Sequence, residues 1–177
     1  MGTQDIGVIA ALVTAVVALV ALIKDHKRRR AQATHEVYIS ISKEANKLRN
    51  YINLFFPNEE VIEPNDSRYN NKELQLKISR LLALYEQISV GINLNIWDLG
   101  VFMRIAGRSS INWYKRLKPV IEKVREESDW KTVYGDFEEL SNKMVEKYEK
   151  HPRKYAPQTK YTKKRGIKHN LKQEVAL

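Results

Sequence analysis

The sequence predicts an all-α chain: a long apolar N-terminal helix, a small helical bundle and a basic tail. Three observations carry that prediction. Only 7 glycines and 5 prolines occur in 177 residues, too few for a turn-rich β fold. Apolar residues recur at spacings of three and four in several segments, the period of a helix with one buried face. Residues 6–23 form an unbroken apolar run that ends at a block of basic residues.

In that run Thr14 is the only polar side chain between Ile6 and Ile23. At about 1.5 Å per residue it would reach roughly 27 Å, near the thickness of a bilayer's hydrocarbon core. Lys24, Lys27, Arg28, Arg29 and Arg30 follow directly. A basic flank of this kind stays on the cytoplasmic side. Residues 1–30 are therefore expected to be a transmembrane anchor with its N-terminus outside. A cleaved signal peptide fits less well, because the positive charge lies after the apolar core rather than before it. A buried core helix would need protein on every side. Gly7, Ala11 and Ala15 lie four apart, as do Ala10, Thr14 and Ala18. Small faces of this kind let helices approach closely, so a homo-oligomer is one expectation.

Between Gly7 and Pro57 nothing breaks the backbone. The apolar run is thus expected to continue as one rod into an amphipathic helix with the stripe Val37, Ile41, Ala45, Leu48, Ile52 and Phe55. Pro57 should end it. An acidic connection follows, with Glu59, Glu60, Glu63 and Asp66 between Pro57 and the asparagines at 70 and 71. It lacks the ligand order of a calcium loop and reads as a solvated link. Asn70 or Asn71 should cap the next helix, whose stripe is Leu74, Ile78, Leu81, Tyr85, Ile88 and Ile92. That helix is expected to end near Asn93 to Asn95.

A short helix from Ile96 is expected next, capped by Asn95, with Trp97, Val101 and Ile105 on one face and Gly107 as its stop. Ser109 or Ser110 should cap a helix facing inward through Ile111, Tyr114, Leu117, Ile121 and Val124, kinked or restarted at Pro119. Ser128 or Asp129 should cap the last helix, with the stripe Val133, Phe137, Leu140, Met144 and Tyr148. Pro152 and Pro157 are expected to end ordered structure. The boundaries are then an anchor at 1–30, a helical domain at 31–149 and a disordered tail at 150–177.

The net charge of +10 is unevenly spread. Residues 24–30 carry +4 and residues 150–177 carry +8, whereas residues 31–149 hold 17 basic and 18 acidic side chains. The central domain is neutral, so the basic character belongs to its flanks and not to a nucleic-acid-binding core. In the tail, Lys150, Arg153, Lys154, Lys160, Lys163, Lys164, Arg165, Lys168 and Lys172 are interleaved with Tyr155 and Tyr161. This pattern suits an anionic surface, with membrane lipid the first expectation and single-stranded RNA the second.

Chemistry is sparse. There is no cysteine, and the 4 histidines, His26, His35, His151 and His169, have no partner at metal spacing. No phosphate-binding glycine loop, metalloprotease motif, nucleophile elbow or dinucleotide fingerprint occurs. No enzyme, metal or cofactor is expected. Glu86 is the most tempting acid, but spacing places no second carboxylate beside it. The plainer reading pairs it with Arg116 or Arg125. Trp97, Trp113 and Trp130 could line a pocket, but at helical spacing they read as core or interface.

The strings L-L-A-L-Y-E-Q-I-S-V-G-I at 81–92, I-W-D at 96–98, W-Y-K-R-L-K-P-V-I-E-K-V-R at 113–125 and Y-G-D-F-E-E-L at 134–140, in this order, resemble a bacterial domain-of-unknown-function family, the one numbered 4760. The resemblance covers about residues 6–147 and leaves out the tail. It implies one membrane helix followed by a compact helical domain, and it carries over no catalytic residue. With the anchor, it places the chain as a single-pass protein of the bacterial inner membrane, its C-terminal domain in the cytoplasm. The expected function is a non-enzymatic interaction or regulatory module that recruits or senses a protein partner there. The alternative is a membrane-active effector, for example in phage defence, whose anchor oligomerises.

Overall fold

The computed structural model describes the backbone of residues 3–151 and Tyr155, and side chains from residue 11 onward within that range. Five α-helices make up the architecture: α1 Thr3–Phe55, α2 Lys72–Asn93, α3 Leu99–Phe102, α4 Arg108–Glu127 and α5 Gly135–Lys150. A 3-10 turn, Ser67–Asn70, precedes α2, and a π-turn, Met103–Gly107, joins α3 to α4. No strand occurs among the described residues. α2 is the central helix, packed against α1 on one side and α5 on the other, with α4 closing on α5.

The first helix is the single rod the sequence predicts. It runs 53 residues without a break and stops just before Pro57. At about 1.5 Å per residue that is roughly 80 Å of helix. Its two ends have different surroundings. From Arg30 onward it joins the bundle, burying Thr34, Ala45, Leu48, Ile52 and Phe56. Before Arg30 it projects as an arm, and from Leu12 to Ile23 its large apolar side chains lie open.

The expectation of a transmembrane anchor is not upheld. No helix among the described residues is long and apolar enough to cross a membrane. Lys24, Asp25, Lys27 and Arg28 follow on the same unbroken helix, and all are exposed. The assignments that rested on the anchor are corrected with it: single-pass membrane protein, bacterial inner membrane, N-terminus outside and C-terminal domain in the cytoplasm.

The core forms two clusters along α2. One gathers Ile52, Phe56, Ile62, Leu74, Ile78, Leu81, Leu117, Ile121 and Phe137. The other gathers Ile88, Ile92, Phe102, Met103, Leu140 and Met144, with Tyr155 laid on top. Each fully buried Leu, Ile or Phe contributes about 1.5–3 kcal/mol. Every member of the predicted α2 stripe is buried. On α1 the stripe ends on Phe56 rather than Phe55, because Phe56 turns inward at the helix end and is fully buried.

The acidic link is more than a solvated connection. Ile62 is fully buried, and its N–H donates to Arg116 O at 2.9 Å. Arg68 ties the link shut through Asp66 at 2.6 Å, Glu60 at 2.5 Å and Phe55 O at 2.8 Å. Asn71, of the two predicted caps, accepts from Leu74 N at 3.1 Å.

Three other boundaries differ from expectation. Asp98, not Asn95, caps α3, accepting from Val101 N at 3.0 Å. Asn95 instead takes a left-handed conformation, with φ of 58°. Gly107 does not stop a helix, and neither Ser109 nor Ser110 caps one, because the chain winds through the π-turn straight into α4. Gly107 is needed for close approach: a Cβ there would lie 2.8 Å from Tyr148 Oη. That hydroxyl donates to Met103 O at 2.9 Å, a carbonyl within the widened turn. Pro119 lies inside α4 without a restart. α5 starts at Gly135, later than Ser128 or Asp129 would place it, after Tyr134 in a left-handed conformation with φ of 57°.

Candidate functional site

Two arginines enter the seam between α1 and α4, and their surroundings define the candidate site. Arg116 is 3% exposed. Its Nε donates to Glu60 O at 2.9 Å, Nη1 to Asn53 Oδ1 at 2.8 Å and Nη2 to Phe56 O at 2.7 Å. The guanidinium lies 4.2 Å from the centre of the Trp113 ring. Burial lowers its pKa, and Glu59 and Glu60 oppose that shift. Arg116 thus collects the oxygens left free where α1 ends, the negative pole of that helix.

Arg49 lies nearly two turns earlier on α1, where the helix uses its own carbonyls. Its Nη1 donates to Ser109 Oγ at 3.0 Å. Its buried Nε has no partner. Around it is a small, partly open pocket between α1, α2 and the start of α4, walled by Ile88, Phe102 and Ala106. The Tyr85 hydroxyl and Ser110 Oγ also line this pocket, both buried and both without a partner in hydrogen-bonding geometry. Burial pushes the Tyr85 pKa up to about 12, against a small opposing pull from Arg49 and the Ser109 and Ser110 hydroxyls. No carboxylate lines the pocket. The space left takes about one water-sized sphere.

The local sequence explains this convergence. Arg49 follows Leu48 on the edge of the α1 stripe, and Tyr85 belongs to the α2 stripe. The π-turn adds a residue to the helical register, and Ser110 just beyond it is buried. Spacing alone foretold Tyr85 as core. It did not foretell Ser110, because a helical period read across residues 103–107 loses register at the π-turn, nor Arg49, which lies beside the α1 stripe where the period names no partner.

Glu86 makes no hydrogen bond or salt bridge with Arg116 or Arg125. Its carboxylate accepts from Phe137 N at 2.8 Å and Asp136 N at 3.3 Å, capping the start of α5 from α2. Burial raises its pKa against those hydrogen bonds. Arg125 pairs with Glu138 at 2.8 Å, and Tyr114 donates to the same carboxylate at 2.8 Å. Trp113 is core, Trp97 packs against Gly91 where a Cβ would lie 2.3 Å from its ring, and Trp130 is 74% exposed. No cluster of metal-ligating side chains occurs among the described residues.

The flanking basic residues divide. Lys24, Lys27, Arg28 and Arg29 are exposed, and Arg29 pairs with Asp25 at 2.8 Å. Arg30 instead belongs to the bundle, donating from Nη2 to Trp97 O at 3.0 Å. Thr34 completes this clasp: its hydroxyl donates to Arg30 O and accepts from Asp98 N, both at 2.7 Å. In the tail, Lys150 pairs with Glu146 at 2.5 Å. Arg153, Lys154, Lys160, Lys163, Lys164, Arg165, Lys168 and Lys172 lie outside the described residues, as does Tyr161. Tyr155, expected in the disordered tail, is 8% exposed and stands edge-on to Tyr148 at 5.6 Å.

No curated protein and no solved structure matches the chain. Residues 8–144 match a family described as Domain of unknown function (DUF4760), a stretch that takes in most of the arm and nearly all of the bundle. The chain belongs to that family.

Proposed function

We propose that the chain is a non-catalytic interaction and regulatory module, in which the bundle holds and orients the N-terminal arm and the arm binds further copies of the chain. The observation that carries this reading is the arm's exposure. Leu12, Val16, Leu19 and Ile23 are 58–62% exposed, and Val13, Val17 and Leu22 are similarly open. An exposed apolar patch of this kind marks an interaction site. These residues surround the helix instead of lining one stripe, so a single flat partner leaves most of them wet. Parallel arms from several copies cover one another on all sides. Small residues at Ala11, Ala15 and Ala18 allow close approach.

The basic belt sets a limit on the assembly. Lys24, Lys27 and Arg28 of neighbouring copies repel one another where the arms leave the bundles. Salt screens that repulsion and leaves apolar contact intact. The test is light scattering of the full chain across a salt series. A discrete oligomer that strengthens with salt is expected. Leu12→Glu combined with Leu19→Glu should return the chain to monomer with an unchanged helical circular dichroism spectrum, because both residues lie beyond the bundle. A monomeric full chain at every salt concentration contradicts the reading.

A further inference from the structure

We infer that the pocket formed by Arg49, Tyr85 and Ser110 is a binding site for a small monatomic anion, a halide. Two other features were weighed against it. The open cleft beside Arg116 is lined by Asn53, Asn58, Asn112 and Arg108, but Arg116 there already has its oxygens. The cleft between Glu44 and Arg80 is closed by the ion pair those two residues make.

The Arg49 pocket differs in chemistry. Three buried polar groups belong to its lining: Arg49 Nε, which has no partner, and the Tyr85 hydroxyl and Ser110 Oγ, which lie near each other and Ser109 without reaching good hydrogen-bonding geometry. Each carries a hydrogen to donate, and the guanidinium carries a formal positive charge. Arg49 has no carboxylate partner within salt-bridge distance among the described residues. The hydroxyls can accept as well as donate, but the guanidinium only donates, and no anionic group lines the pocket to balance it. Leaving a buried donor unsatisfied is costly, so an occupant is favoured.

Size and charge select the occupant. The space inside takes about one water-sized sphere, which suits a monatomic ion better than phosphate, sulfate or a carboxylate. A water fits, but it offers only two lone pairs and no charge. A halide is slightly larger, accepts from every direction and compensates the guanidinium. The aliphatic and aromatic walls strengthen the attraction by excluding solvent. This inference stands apart from the arm and its self-association, since the arm takes no part in the pocket.

The test follows the thermal midpoint of the full chain at constant ionic strength, as sodium gluconate, whose anion is too large for the pocket, is replaced by sodium chloride and then by sodium bromide. Carrying the Leu12→Glu and Leu19→Glu changes in the arm removes any contribution from association. The expected result is a midpoint that rises with halide and saturates, as linkage to one site requires. Tyr85→Phe with Ser110→Ala removes two donors, leaves the apolar packing in place and should abolish the rise while the chain remains folded in gluconate. Equal midpoints in gluconate and halide overturn the proposal and leave a water in the pocket. A rise that persists undiminished in the double variant also overturns it, since the halide then acts elsewhere.

Discussion

Arg116 and Arg49 lie in the same seam, yet one is fully coordinated and the other is not. Arg116 meets α1 where the helix ends, and Phe56 O accepts from it directly. Arg49 leaves α1 from mid-helix, where carbonyls are already spent on the helix itself. An arginine placed at a helix C-terminus finds its acceptors in the backbone, whereas one placed mid-helix has to find them elsewhere. Glu86 shows the same rule with the sign reversed, because it offers its carboxylate to the free N–H groups that open α5. The bundle ties its helix ends from neighbouring helices and leaves one mid-helix cation short of acceptors.

That contrast sets the order of expected effects. Arg116→Ala should be the most damaging of these substitutions, at about 3 kcal/mol or more, because it strands the oxygens of Phe56, Glu60 and Asn53. Arg116→Lys should recover little, since an ammonium cannot span three acceptors in a fork. Urea unfolding followed by circular dichroism measures both. If Arg116→Ala costs no more than Arg49→Ala, the contrast fails.

Glu86→Ala should cost about 1 kcal/mol, the usual worth of a lost helix cap. Its effect is readable in hydrogen exchange, where the amides of Asp136 and Phe137 should lose protection before those of α2. Uniform loss across the molecule would deny Glu86 its capping role.

Acid pH separates Glu86 from Glu138. Arg125 and then Tyr114 hold the Glu138 pKa below its ordinary 4.5, so its contribution is present above that value and is lost as pH falls through the folded pKa. Burial raises the Glu86 pKa, so its contribution is fully present below the ordinary value and declines as pH rises through the folded one. Glu138→Gln should therefore flatten the loss of stability in acid, and Glu86→Gln should steepen it. Thermal midpoints between neutral pH and pH 3 read both slopes, and changes of the same sign relative to the unsubstituted chain would contradict the assignment.

The smallest effect belongs to Tyr85→Phe. In halide-free buffer it removes a hydroxyl without a partner, so stability should hold within about 0.5 kcal/mol or rise. A loss of more than about 1 kcal/mol in that buffer would mean the hydroxyl is already satisfied.

Much of this fold was legible in the residues. The α2 stripe from Leu74 to Ile92, the unbroken rod ending before Pro57 and the cap at Asn71 follow from spacing, proline chemistry and asparagine's side-chain oxygen. What was not legible has identifiable causes. Residues 6–23 satisfy a composition rule for a membrane span, but composition says nothing about where the charged continuation of the same helix lies. Ile62 and Tyr69 sit in a polar stretch with no period to reveal them, and they are buried by Arg116 and by the turn before α2. The π-turn breaks the period between Phe102 and Arg108, so Ser109 and Ser110 read as a cap when they face Arg49 and the pocket beside it. A guanidinium set among hydroxyls without an anionic partner is a property of three helices together, which no single stretch displays.

The most direct test of that shortage is anomalous diffraction from crystals of the full chain grown in bromide. One strong bromide peak is expected in the pocket, within hydrogen-bonding reach of Arg49 Nε, Tyr85 Oη and Ser110 Oγ. A pocket that holds only a water in those crystals, with bromide bound elsewhere on the surface, would contradict it.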